Sequence, residues 1–274
     1  MGIGNNEKIF MSNNCKLIFH VDYNSFTYSI YNINNNCFDN IKSYKLNGDK
    51  ISQNIKSIIE NDGNFKKKYM KIMGSIDVGA STFIPESIFQ KKDIKNYLDL
   101  TSGLIKNHNI LYTKQNFTNC YSVFSINRIL HELLKTSFHN ITLKHTGAVF
   151  TDYALNLSTK GTNELFVMIN KLDFHITFIK NKKLSFYNKF EFETENDFLY
   201  HFLNCIETLS INLVKTSINI MSNLDKKHNL FKLIEKYVQK FNLIERPTKF
   251  LYTNEILEKD SHIHNNLFNQ IVCE

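Results

Sequence analysis

A chain of 274 residues with 42% hydrophobic side chains can bury a sizeable core, as one large domain or as two modest ones, and this excludes a disordered chain. The formal charge of +7 raises nucleic acid or an anionic surface as a partner, but Arg128 and Arg246 are the only arginines. The runs Lys66-Lys67-Lys68, Lys91-Lys92 and Lys182-Lys183 are scattered between elements, so the guanidinium forks that read phosphate and guanine are lacking and nucleic acid is not the expected partner. No run of about 18 apolar residues exists to span a bilayer.

The cysteines, Cys15, Cys37, Cys120, Cys205 and Cys273, are odd in number and irregularly spaced, without a CxxC pair, which fits a reducing compartment. Met1 to Cys15 has no apolar core of a signal peptide, so a cytoplasmic, unanchored protein is expected.

In chain order, Lys16 to Asn32 reads as strand, tight turn at Asp22-Tyr23-Asn24-Ser25, and strand; Phe38 to Leu46 is a third alternating run. The period then changes. Ile51, Ile55, Ile58 and Ile59 share one face of a helix over 49–60, closed by Asn61-Asp62-Gly63, and Tyr69 to Ile76 is a strand. Thr118 to Phe124 is a strand, and Ile126 to Phe138 a helix with Ile129, Leu130, Leu133 and Leu134 inward. A strand over Asn140–Lys144 and a helix over Gly147–Leu157 follow.

The opening pattern then returns. Leu165–Ile169, Phe174–Ile179 and Leu184–Phe192 form another three-strand meander, followed by a helix with Thr194 as N-cap and Phe198, Phe202, Cys205, Ile206 and Leu209 on one stripe. Laying Leu17 on Leu165 also brings Val21 onto Ile169, Asp22 onto Asn170 and Phe26 onto Phe174, which reads as an internal duplication. A strand over Ser217–Met221, a helix carrying Leu230, Leu233, Ile234, Tyr237 and Phe241, and a short strand at Leu243–Glu245 complete the second unit before Pro247. Two α/β subdomains are expected, 1–158 and 159–274, each opening with a βββ meander and flanked by helices.

A βββαβα unit used twice is the plan of the ribonuclease H-like, actin-like ATPases. Beyond the plan, four stretches carry a closer likeness: Val21-Asp22-Tyr23-Asn24-Ser25-Phe26; Thr82 to Phe89; Leu184 to Phe190 running into Asp197 to Leu203; and His264-Asn265-Asn266-Leu267-Phe268 with Cys273-Glu274. In them the chain resembles the bacterial family Domain of Unknown Function 3822, and the resemblance implies an actin-like ATPase fold without implying an activity.

Active members of that fold class place an acidic residue and glycines in the first hairpin turn of each half, where backbone amides approach phosphate. Here Asp22 stands at the first acidic position, with Tyr23, Asn24 and Ser25 in place of the glycines. In the second turn Asn170 stands opposite Asp22, with Asp173 three residues on. Met221-Ser222-Asn223 replaces the glycine pair beside the adenosine. Asp22, Asn24, Asn170 and Asp173 are thus the candidate remnants of a nucleotide cleft, while an Asp in a hairpin turn also serves its own backbone. Asp77-Val78-Gly79-Ala80-Ser81 resembles a phosphate hairpin, but Pro85 follows too soon for the required second strand. His262 and His264 are too isolated for a metal centre.

The reading favoured by the sequence is a non-catalytic, actin-like protein that works by binding a protein partner, with no cofactor expected and its degenerate cleft either empty or holding a ligand weakly. The alternative is a divergent ATPase or phosphotransferase holding Mg-ATP between the subdomains through Asp22 and Asp173.

Overall fold

Leu17, Phe19 and Val21 alternate with Ile18 and His20 along the first strand, and all five are buried, so this strand must be covered on both faces. The computed structural model describes residues 14–103 and 106–274, and the Met1–Cys15 stretch, where no signal sequence is expected, lies almost entirely outside them. Strands β1 (Cys15–Val21), β2 (Ser25–Asn32) and β3 (Cys37–Lys45) form an antiparallel meander. Helix α1 (Ile51–Asn61) follows, and β4 (Lys71–Ile76) returns parallel to β1.

After β4 the chain leaves this sheet. Strand β5 (Ser81–Pro85), helix α2 (Ile94–Ser102), and strands β6 (His108–Lys114) and β7 (Cys120–Asn127) build a separate three-stranded antiparallel sheet, ordered β5-β7-β6. Leu98 of α2 packs there against Ile84 and Val123. The sequence predicts none of α2, β5 and β6: β5 forms through Pro85, where no strand is expected, as an edge strand paired with β7 alone, and the residues of β6 are all half-buried except exposed Lys114, so its pattern does not alternate. Helix α3 (Arg128–Ser137) and strand β8 (Ile141–His145) then rejoin the first sheet beside β4.

Helix α4 (Thr146–Leu157) leads to the second sheet: β9 (Asn163–Ile169), β10 (Asp173–Lys180), β11 (Lys183–Glu191), α5 (Glu195–Thr208), β12 (Thr216–Ser222), α6 (Asn229–Glu235) and β13 (Asn242–Leu243). The strand order is β3-β2-β1-β4-β8 in the first unit and β11-β10-β9-β12-β13 in the second, the same path through two sheets. This is the ribonuclease H-like plan expected from the sequence, and α5 opens with a full capping box between Thr194 and Asp197.

Residues beyond Pro247 turn back. Strand β14 (Leu251–Tyr252) pairs with the edge strand β3 of the first sheet, and α7 (Asn254–Leu257) and α8 (Asn265–Val272) follow. Leu267 and Phe268 of α8 pack against Ile18, Tyr31 and Phe38. Val149, Phe150 and Tyr153 of α4 pack against Phe166 and Met168 of β9, and α4 and α8 touch. The order of layers is therefore outer helices, first sheet, α8, α4, second sheet, outer helices.

Two side chains expected to face inward do not. Ile129 is 70% exposed, because Asn127 caps α3 and sets Leu130 and Leu134 one turn apart on the buried face, with Ile129 rotated away. Tyr237 is half exposed because α6 ends at Glu235. Arg246 is buried, with its guanidinium donating to the carbonyls of Ile256, Lys259 and Ser261, so one of the two arginines holds the C-terminal loop. Among the described residues no helix is long and apolar enough to cross a membrane.

Candidate functional site

Strands β1, β4 and β8 of the first sheet, and β9 of the second, all run parallel in their own sheets and end toward the space between the units. In open α/β sheets, ligand sites gather in the crevice outside such carboxyl ends. Asp77 stands immediately after β4, and its N–H donates to the carbonyl of Val21 at the end of β1. Its side chain is fully buried.

The partners of Asp77 come from the other unit. Lys189 Nζ donates to Asp77 Oδ1 at 2.9 Å, His175 Nε2 lies 3.1 and 3.2 Å from the two carboxylate oxygens, and Asn170 Nδ2 donates to Oδ2 at 2.8 Å. A carboxylate only accepts, so Nε2 of His175 carries the hydrogen. Asn170 also donates to Asp173 Oδ1 at 2.6 Å, and Lys189 Nζ lies 3.2 Å from Asp173 Oδ2. These residues meet because His175 and Lys189 are directly opposite across β10 and β11, so both project from the same face of the sheet. Tyr187, two residues along β11, places its hydroxyl 2.9 Å from His175 Nδ1.

The electrostatics follow from that arrangement. Burial alone would raise the Asp77 carboxyl, but the charges of Lys189 and His175 hold it well below the usual carboxylate range. Asp173 is pushed the other way, by burial and by the neighbouring Asp77 charge. Burial opposes the ammonium of Lys189, yet the two carboxylates raise its pKa above an ordinary lysine. His145, at the end of β8, is completely buried and its pKa is lowered to about 3 by desolvation, so it stays neutral. Its Nδ1 accepts from the N–H of Gly147, while its Nε2 has no hydrogen-bond partner and lies 4.0 Å from Asp77 Oδ1.

The backbone around Asp77 is also closed in. Gly79 has φ +101° and a Cβ there would lie 2.4 Å from the Ser125 carbonyl; its N–H is 3.2 Å from the Tyr23 hydroxyl. The segment Asp77 to Ser81 is thus a link between two sheets, since β5 pairs with β7 and not with β4. At the start of α4, a Cβ on Gly147 would lie 1.8 Å from the Tyr187 hydroxyl, so helix and sheet are in contact there.

The candidates read from the sequence divide into two groups. Asn170 and Asp173 join Asp77 in the buried cluster. Asp22 and Asn24 serve their own turn: the Asp22 carboxylate accepts from the N–H groups of Asn24 and Ser25 at 2.6 and 2.7 Å and from the Ser25 hydroxyl at 2.7 Å. Burial would raise the Asp22 carboxyl, but His20 and these hydrogen bonds lower it. At Met221-Ser222-Asn223, read from the sequence as standing in place of the glycine pair, the Ser222 hydroxyl donates to Ile169 O and Asn223 accepts from the N–H of His264. His262 is spent on the Leu224 carbonyl and makes no cluster with His264.

Sequence reasoning missed Asp77, Lys189, His175 and His145 as members of one cluster. The usable signal was the run Asp173, His175, Thr177, polar at alternate positions of a strand that is buried on both faces. Beside the cluster, a groove of about 830 Å³ runs between β5 and β11, lined among others by Tyr23, Ser81, Phe83, Phe186 and Asn188.

The chain matches the family model described as "Protein of unknown function (DUF3822)" over residues 5–241. No curated protein matches it. Among solved structures, it is similar to a protein from Bacteroides thetaiotaomicron with an actin-like ATPase fold and unknown function, at 16% identity and a TM-score of 0.81, covering 96% of this chain and 97% of that one. It is also similar to the PilM-PilN type IV pilus biogenesis complex, at 7% identity and a TM-score of 0.64, covering 94% of this chain and 98% of that one. At these identities the likeness is one of fold.

Proposed function

Taking as premise that the chain belongs to the DUF3822 family and has the actin-like ATPase fold, we propose that it is a non-hydrolytic protein whose two units are joined by side chains where its fold class holds nucleotide, and which acts by binding another protein. One observation carries the reading: Asp77, buried at the meeting of the units, already accepts from Lys189, His175 and Asn170, and Asp173 beside it is paired with Lys189 and accepts from Asn170. A phosphate group brought there would add negative charge to a site that already holds two acids for one ammonium, and the Gly79 N–H is already turned to the Tyr23 hydroxyl. The partner side of the proposal draws on PilM, a protein of the same fold described in complex with PilN.

Thermal shift with Mg-ATP tests it. Ligand binding to the folded state at a hundredfold excess over Kd stabilises by roughly 2.7 kcal/mol. No shift at millimolar Mg-ATP is the expected result; a shift accompanied by ATP turnover that Asp22→Ala abolishes establishes the rival reading of a divergent ATPase. That rival draws on the groove beside Gly79 and Ser81, which is large enough for a small molecule.

A further inference from the structure

Asp77, Asp173 and His175 each present one donor atom, and these atoms lie within 4.8 Å of one another in a buried setting. Two carboxylate oxygens and one imidazole nitrogen are the donor set of a borderline dication of the Zn²⁺ or Co²⁺ class. Ligands about 2.0–2.1 Å from one tetrahedral ion stand about 3.3 Å apart. The corresponding separations here are 3.1 Å from His175 Nε2 to Asp77 Oδ1 and 3.9 Å to Asp173 Oδ1. Lys189 Nζ, at 2.9 Å from Asp77 and 3.2 Å from Asp173, pairs with both carboxylates, and Lys189 stands opposite His175 across β10 and β11.

We infer that Lys189 is an internal substitute for a metal ion: its ammonium is seated in a three-ligand cradle of Asp77, Asp173 and His175 that accepts a Zn²⁺-class dication once the lysine side chain is removed. The inference rests on the proposed filled junction and adds to it the identity of what fills it. A second, independent feature points to a missing ligand at this place. His145 is fully buried, its Nδ1 is engaged by the Gly147 N–H, and its Nε2 is directed toward Asp77 without a partner. With Nδ1 accepting, Nε2 carries the hydrogen, and a hydroxide on a dication held by three protein ligands is the acceptor such a group lacks.

The surroundings also suit ligation by His175. To bind metal through Nε2 it must move its hydrogen to Nδ1, and Tyr187 Oη is 2.9 Å from Nδ1 to accept it, the kind of outer partner that fixes a ligating imidazole. Asn170 Nδ2 already orients both carboxylates.

The test compares the wild-type chain with Lys189→Ala, each titrated with Co²⁺ and Zn²⁺. Lys189→Ala is expected to gain the visible absorption of low-coordinate Co²⁺ and to bind Zn²⁺ at least a hundredfold more tightly than wild type, with a matching rise in Tm. Adding His175→Ala to that variant removes both signals, which separates this site from the cysteines. Should Lys189→Ala be insoluble, Lys189→Gln is read in the same way, its amide keeping one hydrogen bond to a carboxylate. No Co²⁺ band in either variant, equal metal affinity in wild type, or a band that survives His175→Ala overturns the inference. The Mg-ATP titration of wild type is scored separately, so a failed metal test leaves the proposed function standing, and a positive ATP result removes the premise.

Discussion

Replacing Lys189 by methionine keeps most of the side-chain volume and removes the charge that faces Asp77. At an effective dielectric of about 20, two unit charges at the observed 2.9 Å attract by roughly 6 kcal/mol. Rehydration of the ammonium in the unfolded chain offsets part of this, and breaking a buried pair from one side costs about 3–5 kcal/mol, because the remaining carboxylate stays buried. His175 and Asn170 still bond Asp77, so the lower end of that range applies. For a chain of this size about 2–4 °C of Tm accompanies each kcal/mol, so Lys189→Met is expected to lower Tm by roughly 6–12 °C.

The pH dependence supplies a second, independent reading. In wild type the Asp77 carboxyl is depressed, so its contribution is complete above the unfolded value near 4 and is lost as pH falls below it. In the variant burial dominates and the same carboxyl is raised, so the variant recovers stability as pH falls and Asp77 takes up a proton. Urea titrations of both proteins from pH 7.5 to pH 4, with the exposed Lys183→Met as a control held within about 0.5 kcal/mol of wild type, measure the gap. A loss below about 1 kcal/mol at neutral pH, or a gap that stays constant on acidification, refutes the electrostatic account of the junction.

Two further outcomes follow from residues around the cluster. His145 is buried neutral with its pKa lowered to about 3, so stability is present above its unfolded value near 6.5 and declines as pH falls toward 3; His145→Asn, whose amide oxygen can still accept from Gly147, is expected to lose about 2–3 kcal/mol less than wild type between pH 7 and pH 4.5 in urea unfolding. Gly147→Ala forces a methyl into the Tyr187 hydroxyl and should cost about 1–3 kcal/mol, whereas Gly63→Ala, with open space around its Cβ, should change stability by less than about 0.5 kcal/mol; equal effects at the two sites in thermal denaturation contradict the close contact of α4 with β11.

Much of the architecture was legible before any coordinates. Local periodicity is enough to place β1 to β3, α1, α5 and the second meander, since one face of each must be apolar to be buried. The N-cap at Thr194 and the turn at Asp22 are local chemistry, legible from neighbouring residues alone. The three-stranded sheet was harder: β6 lies half in solvent along nearly its whole length, so its side chains show no alternation to detect. The C-terminal residues carry the same difficulty in another form. Nothing in Leu251 or Phe268 says which sheet each will meet: Leu251 pairs with Cys37 of the first sheet, and Phe268, on α8, packs against Phe38 of the same sheet.

The candidate site shows the division most clearly. Sequence alone determined that the phosphate turns lack glycine, that Asn170 and Asp173 flank the second one, and that Asp22 can satisfy its own turn. Only the tertiary structure decided that Asp77, far away in the chain, would stand against Lys189 and His175, fully buried between sheet and sheet. The physical reason is that a charge pair is chosen by distance in space, and an alternating strand fixes which residues share a face while leaving open what that face will meet.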